Sequence, residues 1–204
     1  MLRWFTRSPR TPQSRQARPW LEALEARDCP AAPVISQLNI VYGTGRTVTI
    51  QGTVQDDHPD TCAIALGGVV SGTAPVAVDG TFSVTTQATG LGTATATVTD
   101  DQQLTAEATA LVESKAPDIT NFRVVQGQGG LWIFSGQVVD ESPTTARVQL
   151  AGCQAFQNAA VTVNADGTFS VVVNVPAGQN VLATALATDC WGLESDQVAA
   201  PVTT

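Results

Sequence analysis

One hexapeptide occurs twice in this chain, as Asp79-Gly80-Thr81-Phe82-Ser83-Val84 and again as Asp166-Gly167-Thr168-Phe169-Ser170-Val171. Asp-Gly is a turn signal: glycine accepts positive φ, and an aspartate side chain can accept from the backbone just beyond it. The Thr-Phe-Ser-Val that follows alternates like a strand with one face buried. Each copy therefore predicts a turn feeding a strand. The surroundings recur with it, which points to two copies of one domain rather than to one larger fold.

Laid against itself, the chain pairs Pro33 with Pro117, Gly52 with Gly136, Asp56 with Asp140, Pro59 with Pro143, Leu66 with Leu150 and Gly68 with Gly152, all 84 apart. The offset is 87 at the hexapeptide and 89 at Thr99-Asp100 against Thr188-Asp189 and at Leu104 against Leu193. It grows by small insertions where loops are expected. The predicted organisation is an N-terminal segment at 1–31, a first domain at 32–114 and a second at 115–204. Glu113 to Pro117 forms a short linker stiffened by its proline.

Aromatic residues are only 5% and charged residues 14% of the chain, and Ala, Val, Thr and Gly dominate. That composition suits pleated strands better than helices. Seven or so strands are predicted per unit: 34–41, 47–55, 61–66, a short one near 76–78, 81–87, 92–99 and 104–112 in the first. The second repeats them at 119–125, 131–139, 146–150, 159–163, 168–175, 180–188 and 193–202. Alternation turns Val48, Ile50 and Val54 inward, matched by Trp132, Phe134 and Val138. Ala94, Ala96 and Val98 likewise match Ala183, Ala185 and Ala187, with Thr93, Thr95 and Thr97 facing out. Strand number, turn spacing and unit length fit two tandem immunoglobulin-like β-sandwiches in an all-β chain.

The units also resemble the tandem Ig-like modules of bacterial surface proteins. The resemblance spans nearly everything after residue 31. It rests on Ala116-Pro117-Asp118-Ile119, on Gly136-Gln137-Val138-Val139-Asp140, on the hexapeptide, and on Thr188-Asp189-Cys190-Trp191-Gly192. The first unit has Gln103 where the second has Gly192, so that turn is expected to differ. Such sandwiches host many functions, and the likeness implies a fold rather than a role.

The first thirty residues read differently. They hold six arginines against three acids, with no periodicity before Pro19. Residues 20–27 allow two turns of amphipathic helix, with Trp20, Leu21 and Leu24 on one face and Pro30 as a stop. The apolar core of a standard secretory signal is missing. Leu21-Glu22-Ala23-Leu24-Glu25-Ala26-Arg27-Asp28-Cys29-Pro30-Ala31 resembles the LExLExRxxPA segment of planctomycete surface and secreted proteins, matching it at Leu21, Glu22, Leu24, Glu25, Arg27, Pro30 and Ala31. That resemblance implies export, with processing near Pro30-Ala31, and hence a secreted or cell-surface location.

Beyond residue 30, four cations stand against fifteen acids. A body this acidic repels nucleic acid and anionic membrane surfaces, and no apolar run is long enough for a membrane helix. Catalysis finds little to work with. The single histidine, His58, lies among Asp56, Asp57 and Asp60, where a solvated loop is the ordinary reading, and neither a nucleophile elbow nor a zinc motif is present. The chain is expected not to be an enzyme and to carry no cofactor.

In Ig topology the second-to-third-strand loop and the sixth-to-seventh-strand turn emerge at one end. That end collects Asp56, Asp57, Asp60, Asp100 and Asp101 in the first unit, and Asp140, Glu141 and Asp189 in the second. Carboxylates converging from two loops suit Ca²⁺, so these five are the candidate metal ligands; the alternative is turn chemistry and solubilising charge. Four cysteines, Cys29, Cys62, Cys153 and Cys190, allow three pairings. Cys29 and Cys62 share an end of the first unit and form the candidate disulfide, whereas Cys153 and Cys190 are expected at opposite ends, too far apart to bridge. Trp191 is the candidate contact residue, either folded back over its own sandwich or offered to a neighbouring domain or a sugar. The partners these features suggest are other surface or matrix proteins, or glycans.

Overall fold

The structure, a computed structural model, describes residues 31–156, 161–178 and 180–203. The expected helix and export motif, but for Ala31, fall outside these residues, as does part of the strand expected at 159–163. The first sandwich contains β1 (Val34–Tyr42), β2 (Thr47–Gln55), β3 (Ala63–Gly68), β4 (Gly72–Pro75), β5 (Thr81–Gln87), β6 (Gly92–Thr99) and β7 (Thr105–Val112). A three-stranded sheet ordered β1-β2-β5 faces a four-stranded sheet ordered β4-β3-β6-β7. The second contains β8 (Asp118–Gln126), β9 (Leu131–Val139), β10 (Arg147–Ala151), β11 (Thr168–Asn174), β12 (Asn180–Thr188) and β13 (Val198–Thr203). Its sheets run β8-β9-β11 and β10-β12-β13, and every pairing in both sandwiches is antiparallel. The molecule is all-β, two tandem Ig-like sandwiches.

Each sandwich has its own core. In the first, Val48, Ile50 and Val54 of β2 meet Ile64, Leu66, Ala94, Ala96 and Val98 from the opposite sheet. In the second, Trp132, Phe134 and Val138 meet Val148, Leu150, Ala183, Ala185 and Ala187. Volumes are traded between facing strands: where β9 carries Trp and Phe in place of Val and Ile, β12 carries Ala187 in place of Val98. Phe134 then meets Phe156 edge to face, at 4.6 Å between ring centroids, which keeps the interior filled.

The hexapeptide closes each core at one corner. Asp79 Oδ1 accepts from the Thr81 amide at 3.0 Å and its hydroxyl at 2.7 Å, and Asp166 does the same with Thr168 at 3.0 and 2.6 Å. These bonds hold both carboxyls below their ordinary range, the hydroxyl bond contributing most. The turn is also latched to the neighbouring sheet strand, since Val54 N–H donates to the Gly80 carbonyl and Val138 N–H to the Gly167 carbonyl, both at 2.8 Å. Gly80 and Gly167 have φ near +80°, and a Cβ there would stand 2.4 and 2.2 Å from those strands' carbonyl oxygens.

Three details depart from the sequence reading. The short strand expected near 76–78 is Gly72–Pro75, paired with β3. Val76 instead turns into the core and donates its N–H to the Cys62 carbonyl, and Ala77 already belongs to the hexapeptide turn. The last strand starts at Val198 rather than 193, because the buried Ser195 hydroxyl takes the Ala187 N–H in place of a ladder carbonyl. The turns at Gln103 and Gly192 do not differ. Both residues have positive φ, 64° and 88°, and both close the same bonds onto Asp100 and Asp189.

Gly80→Ala and Gly167→Ala are expected to lose about 1–3 kcal/mol each in urea denaturation, from left-handed strain and the clash with the latched strand. Gly90→Ala, whose added Cβ meets nothing within 4 Å, is the control and is expected to be neutral or slightly stabilised.

Candidate functional site

The loops at the acidic end of the first sandwich meet as the topology requires. Asp56 Oδ1 accepts from His58 N–H at 2.8 Å, and the His58 carbonyl accepts from the Thr61 amide and hydroxyl, starting the 3-10 turn Pro59–Thr61. Asp100, buried, holds the opposite turn by accepting from Gln102 and Leu104 N–H at 2.9 and 2.8 Å. Between the loops lies Cys62, whose thiol is pushed up to about 11, first by burial and then by the charges of Asp56, Asp100, Asp101 and Asp60. Four of the five candidate carboxylates, all but Asp57, thus concentrate negative potential around one thiol. Among the described residues, however, no group of three or more His, Cys, Asp or Glu side chains is arranged to hold a metal ion. Asp56 and Asp100 each commit an oxygen to amides of their own loop, while Asp57, Asp60 and Asp101 are exposed, so the five do not focus on one point.

Cys62, Cys153 and Cys190 are free thiols in the structure, and Cys29 lies outside the described residues. Cys153 follows β10, and Cys190 sits in the turn after β12.

The corresponding end of the second sandwich is covered by the first sandwich. Trp191 packs against the first core rather than back over its own. Arg46, in the turn between β1 and β2, places its guanidinium 5.8 Å from the indole centroid, so a cation faces an aromatic π surface. The same side chain donates from Nε to the Cys190 carbonyl at 2.6 Å and from Nη1 to the Thr89 carbonyl at 3.0 Å. One arginine therefore ties two turns of different sandwiches. Beside it, Gly45 N–H donates to the Ser142 hydroxyl at 3.2 Å. Ser142 is only 5% exposed, while His58, its counterpart 84 residues earlier, is exposed.

The linker strap is fastened as well. Glu113 N–H donates to the Tyr42 hydroxyl at 2.9 Å, and the Ser114 hydroxyl donates to Glu141 Oε1. Tyr42, Glu113, Ser114, Lys115 and Glu141 line a cleft of about 440 Å³ along this flank. Asp140 and Asp189 lie behind the contact. Asp140 Oδ1 accepts from Ser142 N–H at 2.7 Å, and Asp189 Oδ1 from Trp191 and Leu193 N–H at 2.8 and 2.7 Å.

Of these residues the sequence reading singled out Trp191, with a neighbouring domain among its readings. It missed Arg46 and Ser142. Arg46 had one visible signal, as one of only four cations beyond residue 30 and the only one inside the first unit. Ser142 had none, because a serine in a loop has no distinguishing pattern.

No protein-family model and no curated protein matches the chain. Solved structures similar to it include the fibronectin(III)-like modules of CbhA from Clostridium thermocellum, at 12% identity over 84% of this chain and 93% of that one, with a TM-score of 0.34. The D0–D1 domain of intimin is similar at 11% identity over 83% of this chain and 99% of that one, with a TM-score of 0.30. Among the described residues, no helix is long and apolar enough to cross a membrane.

Removing the clasp should free the linker. Arg46→Ala or Trp191→Ala is expected to raise tryptic cleavage after Lys115 about tenfold, the equivalent of a cation–π contact in a partly desolvated site, with little change in either sandwich's own unfolding. The Cys62 thiol should be nearly inert to a disulfide reagent at about pH 8, and its labelling rate should climb about tenfold per pH unit toward the thiol's raised pKa.

Proposed function

We propose that this chain is a non-enzymatic, exported structural module, two sandwiches held end to end as a spacer or adhesive piece of a surface or matrix protein. The observation that carries the reading is the junction: an arginine bonded to carbonyls of both sandwiches and facing Trp191, a buried serine hydroxyl, and a strap bonded at both ends. A spacer needs a resistance to bending that a loose string of domains lacks, and the Arg46 bond to the Cys190 carbonyl together with Trp191 seated against the first core acts in that direction. The acidic body suits a protein kept soluble among anionic surfaces and away from nucleic acid. Export rests on the Leu21 to Ala31 segment and its resemblance to planctomycete surface proteins.

The ligand-binding alternative, weak Ca²⁺ or carbohydrate at the loop ends, finds less support. Trp191 is engaged by Arg46 and the first core rather than presented as a platform, and of the five candidate carboxylates Asp56 and Asp100 each commit an oxygen to their own turn.

The reading predicts that millimolar Ca²⁺ leaves the melting midpoint unchanged, that a glycan array stays empty, and that mass spectrometry finds the chain outside the cell with a start near Ala31. A chain retained in the cytosol with Met1 in place would end the export proposal. A Ca²⁺-dependent rise in the midpoint would favour the ligand-binding module instead.

A further inference from the structure

The outward face of the sheet β8-β9-β11 carries apolar side chains where its counterpart in the first sandwich carries hydroxyls. At equivalent positions the first sandwich has Thr47, Thr49 and Thr85, and the second has Leu131, Ile133 and Val172; each has a valine alongside, Val41 or Val125. In the first sandwich the hydroxyls serve one another. Thr49 and Thr85 share a hydrogen bond of 2.8 Å, and the Thr47 hydroxyl accepts from Gln87 Nε2 at 2.7 Å. In the second, Val125, Leu131, Ile133 and Val172 are 49, 43, 36 and 55% exposed. Register sets Val125 opposite Ile133 and Ile133 opposite Val172, so the three form one apolar row across the sheet, with Leu131 beside it on β9. A contiguous row left in water forgoes the burial that a covering surface would give it.

We propose that this row is a self-association surface, on which a second copy of the chain packs sheet face to sheet face about a two-fold axis.

Two observations make a second copy the occupant. The first is symmetry: the row reads Val-Ile-Val from either edge, so it is its own complement. A two-fold axis running along β9 lays Ile133 on Ile133 of the second copy and Val125 on Val172 of the second copy. The same axis sets Arg123 over Ser170 of the second copy, which keeps the two arginines apart. The second observation is charge. Beyond residue 30, fifteen acids stand against four cations, so two copies repel over much of their surface. β9 and β11, however, carry no charged residue, and Asp118 stands at the far end of β8 from Val125. The one charge flanking the row is Arg123, whose Nε donates to the Ser135 hydroxyl at 3.3 Å. Two acidic bodies therefore approach at least cost through this face. Area sets the strength of the contact. With strands about 4.8 Å apart and about 3.3 Å per residue, the face covers about 400 Å². Two such faces fall below the roughly 1,200 Å² at which standard complexes begin, which makes the pair weak and reversible. Aligned packing, with the sheets about 10 Å apart and turned by about 30°, is the ordinary way for two such faces to meet.

The row lies on the second sandwich alone, so the pairing does not rest on how the two sandwiches meet. Analytical ultracentrifugation of the full chain at neutral pH, with a reductant present so that thiols cannot link chains, measures it directly. From about 10 µM to about 1 mM the mass is expected to rise from that of one chain toward that of two. Ile133→Thr combined with Val172→Thr imports the first sandwich's own hydrogen-bonded pair. It is expected to weaken the pairing by about tenfold or more and to leave the melting midpoint nearly unchanged. Val172→Thr alone, at the most exposed position of the row, is expected to weaken it about threefold and serves if the double variant does not fold. Sodium chloride at about 0.5 M screens the acids and spares the apolar contact, so it is expected to strengthen the pairing. Leu182→Thr, at an exposed position of the other sheet, is expected to leave it unchanged. A wild type that stays monomeric at about 1 mM would overturn the proposal, as would a double variant that pairs as tightly as the wild type. Pairing lost in salt or in Leu182→Thr would place the contact elsewhere and overturn it too.

Discussion

In each sandwich an aromatic ring lies across a glycine of the next strand, and much of the fold depends on that contact. Phe82 pairs in register with Gly52, and Phe169 with Gly136. A Cβ on either glycine would stand 2.9 or 2.7 Å from the ring, inside contact distance. A slip of one residue would turn the ring to solvent and drive a side chain into its place, so the pair pins the register of β2 with β5 and of β9 with β11. With the register pinned, the Asp-Gly turn falls where its carbonyl can latch the adjacent strand. The loops that begin at Asp56 and Asp140, just beyond the latched residues, then have a firm base to stand on.

The two sandwiches put one end of the fold to different uses. Positions that hold the turns keep their residue type and bonding, as Asp56 with Asp140 and Asp100 with Asp189 show. Positions that face outward from those turns diverge: His58 against Ser142, Asp101 against Cys190, Gln102 against Trp191. In the second sandwich these changes remove charge and add a large ring, and that end lies under the first sandwich. In the first they leave an acidic, hydrated surface. The complementary residue is also used once, since Arg46 has Gly130 as its counterpart 84 residues on. The contact therefore does not repeat itself, and the acidic end of the first sandwich is chemically unlike the surfaces that meet between the two.

Several strands were legible to the residue, including Thr47–Gln55, Thr81–Gln87, Leu131–Val139 and Asn180–Thr188, because strict alternation and flanking turn residues act locally. The misses share a cause. Val76 looked like strand and became core, its N–H going to the Cys62 carbonyl, and 193–197 looked like strand and was diverted by the Ser195 hydroxyl taking the Ala187 N–H, in each case through a bond that strand alternation does not encode. The turn at Gln103 shows the reverse. The Asp100 side chain holds two amides of that turn, and so a glutamine takes a conformation that glycine would adopt freely.

The sequence by itself determined the repeat, the all-β class, the inward faces of the strands and the gathering of acids at one end, since each depends on periodicity or on residue types near one another in the chain. Only the tertiary structure decided that Trp191 packs against the first sandwich's core and that Arg46 is its partner. Those outcomes turn on which surfaces meet. The energy of a cation over a ring is set by a neighbour that can lie more than a hundred residues away, as Arg46 lies from Trp191, and local pattern carries no record of that neighbour.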